Sequence, residues 1–126
     1  MPINSRTKGR AFEQEIARKL REELGLEITR NWQEQACHGG TDLIGLDGWA
    51  IECKRAKKYS QEWWRQTVEQ ASIACSLPVL IYKLDYQQIA VEVRGSDLIP
   101  ELENDDFRVA MPFPAWITIV RERMDG

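Results

Sequence analysis

The sequence predicts an α/β fold: a mixed β-sheet flanked by helices, with its elements in the order α-β-β-β-α-β-β. Three observations lead there. An amphipathic helix pattern opens the chain, two short alternating segments meet at Asp47-Gly48, and a helical pattern after Ser60 leads into the apolar run Pro78-Val-Leu-Ile-Tyr-Lys-Leu84. Helical and alternating periods interleaved in this way fit helices laid against one sheet.

The first helix is expected over residues 7–24, because Phe12, Ile16, Ala17, Leu20 and Leu24 repeat at i, i+4 and i+8 on one buried face. Thr7 is a suitable N-cap and Gly25 a suitable stop. Residues 26–32 alternate and suggest a first strand. Residues 41–46 and 49–54 suggest two more, joined at Asp47-Gly48, a hairpin signal. Ser60 can cap a second helix reaching Cys75, with Trp64, Val68 and Ala71 on one face. Residues 78–84 read as a buried strand and residues 88–93 alternate again. A short helix over 96–103 and a last strand over 116–121 complete the expectation.

With 126 residues, 43% hydrophobic and 29% charged, the chain has the length and composition of a single globular domain spanning 1–126. The absence of an apolar run near the ~18 residues of a membrane span, and of an apolar leader, makes a cytoplasmic protein the expectation, with no membrane partner. Cys37, Cys53 and Cys75 form no CxxC pair and read as reduced thiols. His38 is the only histidine, so a Cys/His zinc site is not expected, and Cys37-His38 reads as a polar loop beside Gly39-Gly40. Net charge is −3, but charge is segregated. Arg6, Lys8 and Arg10 and then Lys54, Arg55, Lys57 and Lys58 are basic clusters, while Glu101, Glu103, Asp105 and Asp106 form an acidic one. Phosphates respond to charges within about 8–10 Å, so one basic face can bind nucleic acid despite the sum. Two ordinary solvated segments would give the same pattern.

The chemistry-bearing stretch runs from Asp42 to Lys54. An acid opens one strand, and Glu52 and Lys54, two apart on the next, point to one face. Two carboxylates offer hard oxygen ligands to Mg²⁺, with Mn²⁺ expected to substitute. A nearby lysine can orient water or offset charge building on a phosphate. ExK also occurs on strand surfaces as a solvent-facing salt bridge. Here Ile51 and Trp49 place it beside apolar surface, where unpaired charge is costly. At about 100° per residue, Glu13 falls inside the apolar face of the first helix and Glu15 outside it. An inward acid there is suited to a metal site shared with Asp42 and Glu52, or else pairs at the stripe's edge with a surface cation. A two-residue Asp47-Gly48 turn would pair Leu43 with Glu52 and turn Asp42 away from Glu52. The site therefore requires a three-residue loop or a bulge, with Gly48 or Gly45 at positive φ.

Lys8-Gly9, Glu13, Arg30, Gly40-x-Asp42, Glu52-x-Lys54 and Leu77-Pro78-Val79-Leu80 occur in the order and with spacing similar to the archaeal-type Holliday junction resolvases of the PD-(D/E)xK nuclease superfamily. The resemblance covers roughly residues 6–94. It implies a restriction-endonuclease-like sheet and a divalent metal site built by Glu13, Asp42 and Glu52, with the Cys53 carbonyl as a further ligand and Lys54 in a catalytic role. It also implies a homodimer that nicks branched DNA symmetrically, with no small-molecule cofactor. Lys8, Arg10, Arg30, Arg55, Lys57, Lys58, Gln66 and Gln70 are the candidate DNA contacts. Of Trp63 and Trp64, one is expected in the core and the other at a dimer contact, together with Phe107, Phe113 and Trp116. Another repair or restriction-like nicking nuclease of the superfamily, or a DNA-binding module without catalysis, are the alternatives.

Overall fold

A computed structural model of the chain describes residues 5–31, 41–103 and 107–125. Trp32, Cys37, His38, Gly39, Gly40, the side chain of Arg6, and Asp105 and Asp106 lie outside the described residues. The elements are α1 (Ser5–Leu24), β1 (Thr29–Arg30), β2 (Leu43–Ile44), β3 (Trp49–Ala56), α2 (Glu62–Ile73), β4 (Leu77–Leu84), β5 (Ala90–Arg94), α3 (Gly95–Leu98), β6 (Arg108–Pro112) and α4 (Phe113–Asp125). One six-stranded sheet runs in the order β1-β2-β3-β4-β5-β6. All neighbours are antiparallel except β3 and β4, which α2 connects as a crossover.

The first two helices are where the sequence period places them. Phe12, Ile16, Ala17 and Leu20 bury one stripe of α1. Gly25 ends the helix at φ +70, with its N–H donating to the Arg21 carbonyl at 2.9 Å. On α2 the buried pair is Thr67 and Ala71, with Trp63 one turn before. Trp64 and Val68 stand half-buried beside them, so the buried face is one residue out of the predicted phase.

The sheet separates two layers. Ile51, Cys53, Val79, Ile81, Val91 and Val93 pack with α1 and α4 in the main core. The alternate residues Glu52, Lys54, Leu80, Tyr82 and Glu92 project to the face carrying α2.

Two expectations are corrected at the C-terminus. Residues 116–121 are helix, not a last strand: Phe113, Trp116, Ile117 and Val120 are buried at helical spacing along α4. The last strand is Arg108–Pro112 instead, with burial alternating along it as the sheet's edge. Phe113 and Trp116 lie in the core, with the Trp49 and Trp116 rings edge to face at 5.8 Å. They are therefore not available to a dimer contact, and Phe107 alone of that trio is exposed. Trp63 and Trp64 are both half-buried rather than one core and one exposed. No helix among the described residues is long and apolar enough to cross a membrane.

Candidate active site

The β2–β3 connection decides whether two acids meet. Leu43 pairs with Ile51, one residue off the register of a two-residue turn. Asp42 consequently falls opposite Glu52 and on the same face. Both glycines proposed for this job take positive φ, Gly45 at +114 and Gly48 at +88. Gly45 is also in close backbone contact, since a Cβ there would stand 2.4 Å from the Glu27 carbonyl oxygen. Only glycine satisfies both conditions.

Asp42 is fixed at both ends of its residue. Its N–H donates to the Ile51 carbonyl at 2.9 Å, and its Oδ2 accepts the Cys53 N–H at 2.8 Å. Ile51 thus presents its carbonyl to the β2 edge. Cys53, two residues on, presents its carbonyl to the same edge, beside Asp42. The Cys53 thiol is buried in the core, and burial pushes it well up, which makes it an inert side chain.

Glu52 is only 7% exposed, and its Oε1 is buried with no hydrogen-bond partner among the described residues. Burial raises Asp42 to about 6, with repulsion from Glu13 adding to it while the Cys53 N–H and Lys54 pull the other way. Burial and the adjacent Asp42 raise Glu52 to about 9, against the pull of Lys54. Two neighbouring carboxyls withdrawn from water, one with an orphaned oxygen, are an arrangement that a hard divalent cation would satisfy. Lys54 is half-buried on the same face and forms no ion pair among the described residues.

Glu13 is brought near but not into contact. It is half-buried and accepts a hydrogen bond from the Arg30 Nε at 2.9 Å, the cation-paired alternative of the sequence reading. It acts on Asp42 and Glu52 through its charge. Among the described residues, no group of three or more His, Cys, Asp or Glu side chains stands within metal-binding reach. The physical reason is that α1 packs on the face of Ile51 and Cys53, opposite the face from which Glu52 projects.

The candidate DNA contacts divide in two. Lys8 lies 3.9 Å from Asp85, which also receives Arg55 and is held below its usual range by that hydrogen bond, with Lys8 and Lys57 contributing. Arg55 additionally donates to the carbonyls of Ala56 and Lys83. Lys8, Arg55 and Lys57 therefore form one basic group where β3 and β4 end. Lys58 follows Lys57 as an exposed residue, and Arg10 is exposed on α1. Arg30 is committed to Glu13. Gln66 and Gln70 are half-buried on α2, and the Gln70 side-chain oxygen is buried with no partner among the described residues.

Sequence reasoning missed Asp85 and Glu92. Glu92 is 7% exposed, accepts the Tyr59 hydroxyl at 3.2 Å, and has Arg108 at 3.7 Å. The sequence reading extends only to the alternation of residues 88–93, which puts Glu92 on the face opposite Val91 and Val93. That face is walled by Tyr59, Trp63 and Tyr82, whose rings contact one another at 5.1–5.9 Å.

Residues 4–122 match the family described as "Phage putative PDDEXK endonuclease". Among solved structures, the Holliday junction resolvase Hjc of the archaeal hyperthermophile Archaeoglobus fulgidus has a TM-score of 0.50 and 20% identity over 85% of each chain. At that identity the likeness concerns the fold, a mixed six-stranded sheet flanked by helices. No match was found among curated proteins.

Proposed function

This chain belongs to the phage PDDEXK endonuclease family, and from that premise we propose that it is a Mg²⁺-dependent DNA endonuclease that prefers branched DNA, four-way junctions above all, and works as a homodimer. The observation that carries the reading is the forced meeting of Asp42 and Glu52, with one Glu52 oxygen left unpartnered beside Lys54. Mg²⁺ keeps several waters and needs only one or two carboxylates, so the pair, with the Cys53 carbonyl, is a sufficient protein donor set. When bound there, it would polarise the scissile phosphate and make a water acidic enough to attack.

The chain's own residues do the rest. The Cys53 N–H holds one Asp42 oxygen and leaves the other toward Glu52. Lys54 offsets negative charge at the phosphate. Arg30 is held by Glu13 on the α1 side of the sheet, so a phosphate contact from it would need that ion pair to open. Lys8, Arg55, Lys57 and Lys58 supply backbone contacts that set register without reading sequence. The resolvase fold of the Archaeoglobus protein supports the junction preference.

The test compares a four-way junction, a fork and a linear duplex of equal length, each with Mg²⁺, Mn²⁺ or EDTA. Cleavage of the junction first, and only with a divalent cation, is the expected result. Equal cutting of all three would keep the nuclease and remove the junction preference. No cutting of any would leave a DNA-binding module.

A further inference from the structure

Tyr86 is the most exposed large hydrophobic residue among the described residues, at 103% of its reference area. It also sits at φ +64, a left-handed conformation that bulky residues rarely adopt. Its turn is otherwise firmly held. The Asp85 N–H donates to the Ala56 carbonyl and the Gln87 N–H to the Leu84 carbonyl, each at 3.1 Å. Arg55 grips the Asp85 side chain. A rigid turn thus presents an aromatic ring to solvent in a conformation that glycine would take at lower cost. Among the described residues no ring contact involves Tyr86, and its full exposure leaves it with little packing to contribute to the fold.

Its surroundings are basic. Lys8, Arg55 and Lys57 all act on Asp85, the residue before Tyr86, and Lys58 is exposed nearby along the chain. An aromatic face projecting from a group of cations is the chemistry that takes an open nucleobase flanked by phosphates. The turn lies at the end of β3 that leads away from Glu52. The four residues from Glu52 to Ala56 span about 13 Å at ~3.3 Å each, or roughly four nucleotide steps of 3.4 Å.

We propose that Tyr86 is a stacking residue that engages the exposed face of a base where duplex stacking is broken, at a branch point or gap, a few nucleotides from the cut. The inference rests on the endonuclease reading above and adds to it the feature by which broken stacking is sensed. The ring stacks, and the phosphates on either side of the open base meet Lys8, Lys57 and Lys58. The turn is already rigid, so little ordering entropy is lost on binding.

Tyr86→Gly and Tyr86→Phe in the full chain test it, with binding measured in EDTA and cleavage in Mg²⁺. The substrates are a four-way junction and a linear duplex, and 2-aminopurine is placed at the branch. Wild type and Tyr86→Phe are expected to quench the 2-aminopurine, and Tyr86→Gly is not. Tyr86→Gly should bind the junction about tenfold more weakly, the low end of base–aromatic stacking, and bind the duplex within about twofold of wild type. Its melting temperature should be equal or higher, because glycine relieves the positive φ, so weakened binding is not misfolding. Unchanged junction affinity and unchanged quenching in Tyr86→Gly would overturn the stacking role while wild-type cleavage keeps the nuclease. Absence of wild-type cleavage and binding would instead overturn both.

Discussion

Asp42 and Glu52 oppose folding once both are charged, because each is buried and each repels the other. Their folded pKa values, about 6 and about 9, lie above the ordinary 3.8 and 4.5. The unfolded chain therefore releases these protons first as pH rises. The stability that protonation gives is complete below pH 4 and is lost progressively up to about pH 9. A divalent cation reverses the penalty, but protons compete with it at low pH. Metal-free protein should accordingly melt at a lower temperature at pH 9 than at pH 5, and Mg²⁺ should raise the melting temperature at pH 9 and leave it nearly unchanged at pH 5. Glu52→Gln removes one charge of the pair, so it should flatten the pH dependence and be more stable than wild type at pH 9 in EDTA. Thermal melts across this grid check the sign. The same substitution, and Asp42→Asn, should cut cleavage by roughly two orders of magnitude or more, the effect of losing one charge-stabilising group, while junction binding in EDTA holds or tightens. Near wild-type cleavage by both variants would place the chemistry elsewhere.

The β2–β3 turn is the element on which that pairing depends. Gly45→Ala would bring a Cβ to 2.4 Å from the Glu27 carbonyl at a φ of +114. The chain must then move β2 away from β1 or slip its register, and a one-residue slip turns Asp42 off the Glu52 face. The expected loss is about 2–3 kcal/mol of stability and most of the activity, read by denaturant titration and by cleavage rate. Gly48→Ala meets no neighbour and should cost less. The need for this turn was legible in the sequence, because Asp42, Glu52 and the period of two leave no other way to share a face. α1 and β4 were legible too, from long unambiguous periods. The segment 116–121 was not. Within six residues, Trp116, Thr118 and Val120 alternate as well as Trp116 and Val120 repeat helically, and its β-branched content favours strand. Only Phe113, three residues before Trp116, extends the helical period. β6 was hidden for the opposite reason. Its alternation spans only Val109 and Met111 as inward residues, and Pro112 is tolerated because the strand lies at an edge. At the site, a cation partner for Glu13 was among the alternatives, but its identity as Arg30 was beyond sequence reach, because the pair joins α1 to β1 across 17 positions.

At the scale of the whole molecule, resolving a four-way junction takes two cuts related by a two-fold axis. On the proposed reading each chain has one Asp42–Glu52 pair, so two copies related by that axis would provide both cuts in the geometry the junction presents. The contact must come from surface still open in one chain. Phe113 and Trp116 are core, and Trp64 is engaged by Arg108 at 5.5 Å. Phe107, Ile99 and Ile73 are exposed. Light scattering at micromolar concentration should give twice the mass of 14.6 kDa for the protein alone, and that same protein mass plus the DNA for the junction complex. Binding should be mainly electrostatic despite the net charge of −3, because the cations are gathered where β3 and β4 end. If each chain neutralises three or more phosphates through Lys8, Lys57, Lys58 and their neighbours, a dimer makes at least about six such contacts. Junction affinity should then fall by about 10³ between 50 and 200 mM salt. Anisotropy titrations over that range measure the slope, and charge reversal Lys57→Glu with Lys58→Glu should make it shallower for junction and duplex alike. A monomer at all concentrations, or an affinity indifferent to salt, would remove the symmetric two-cut mechanism and leave a nuclease that nicks one strand at a time.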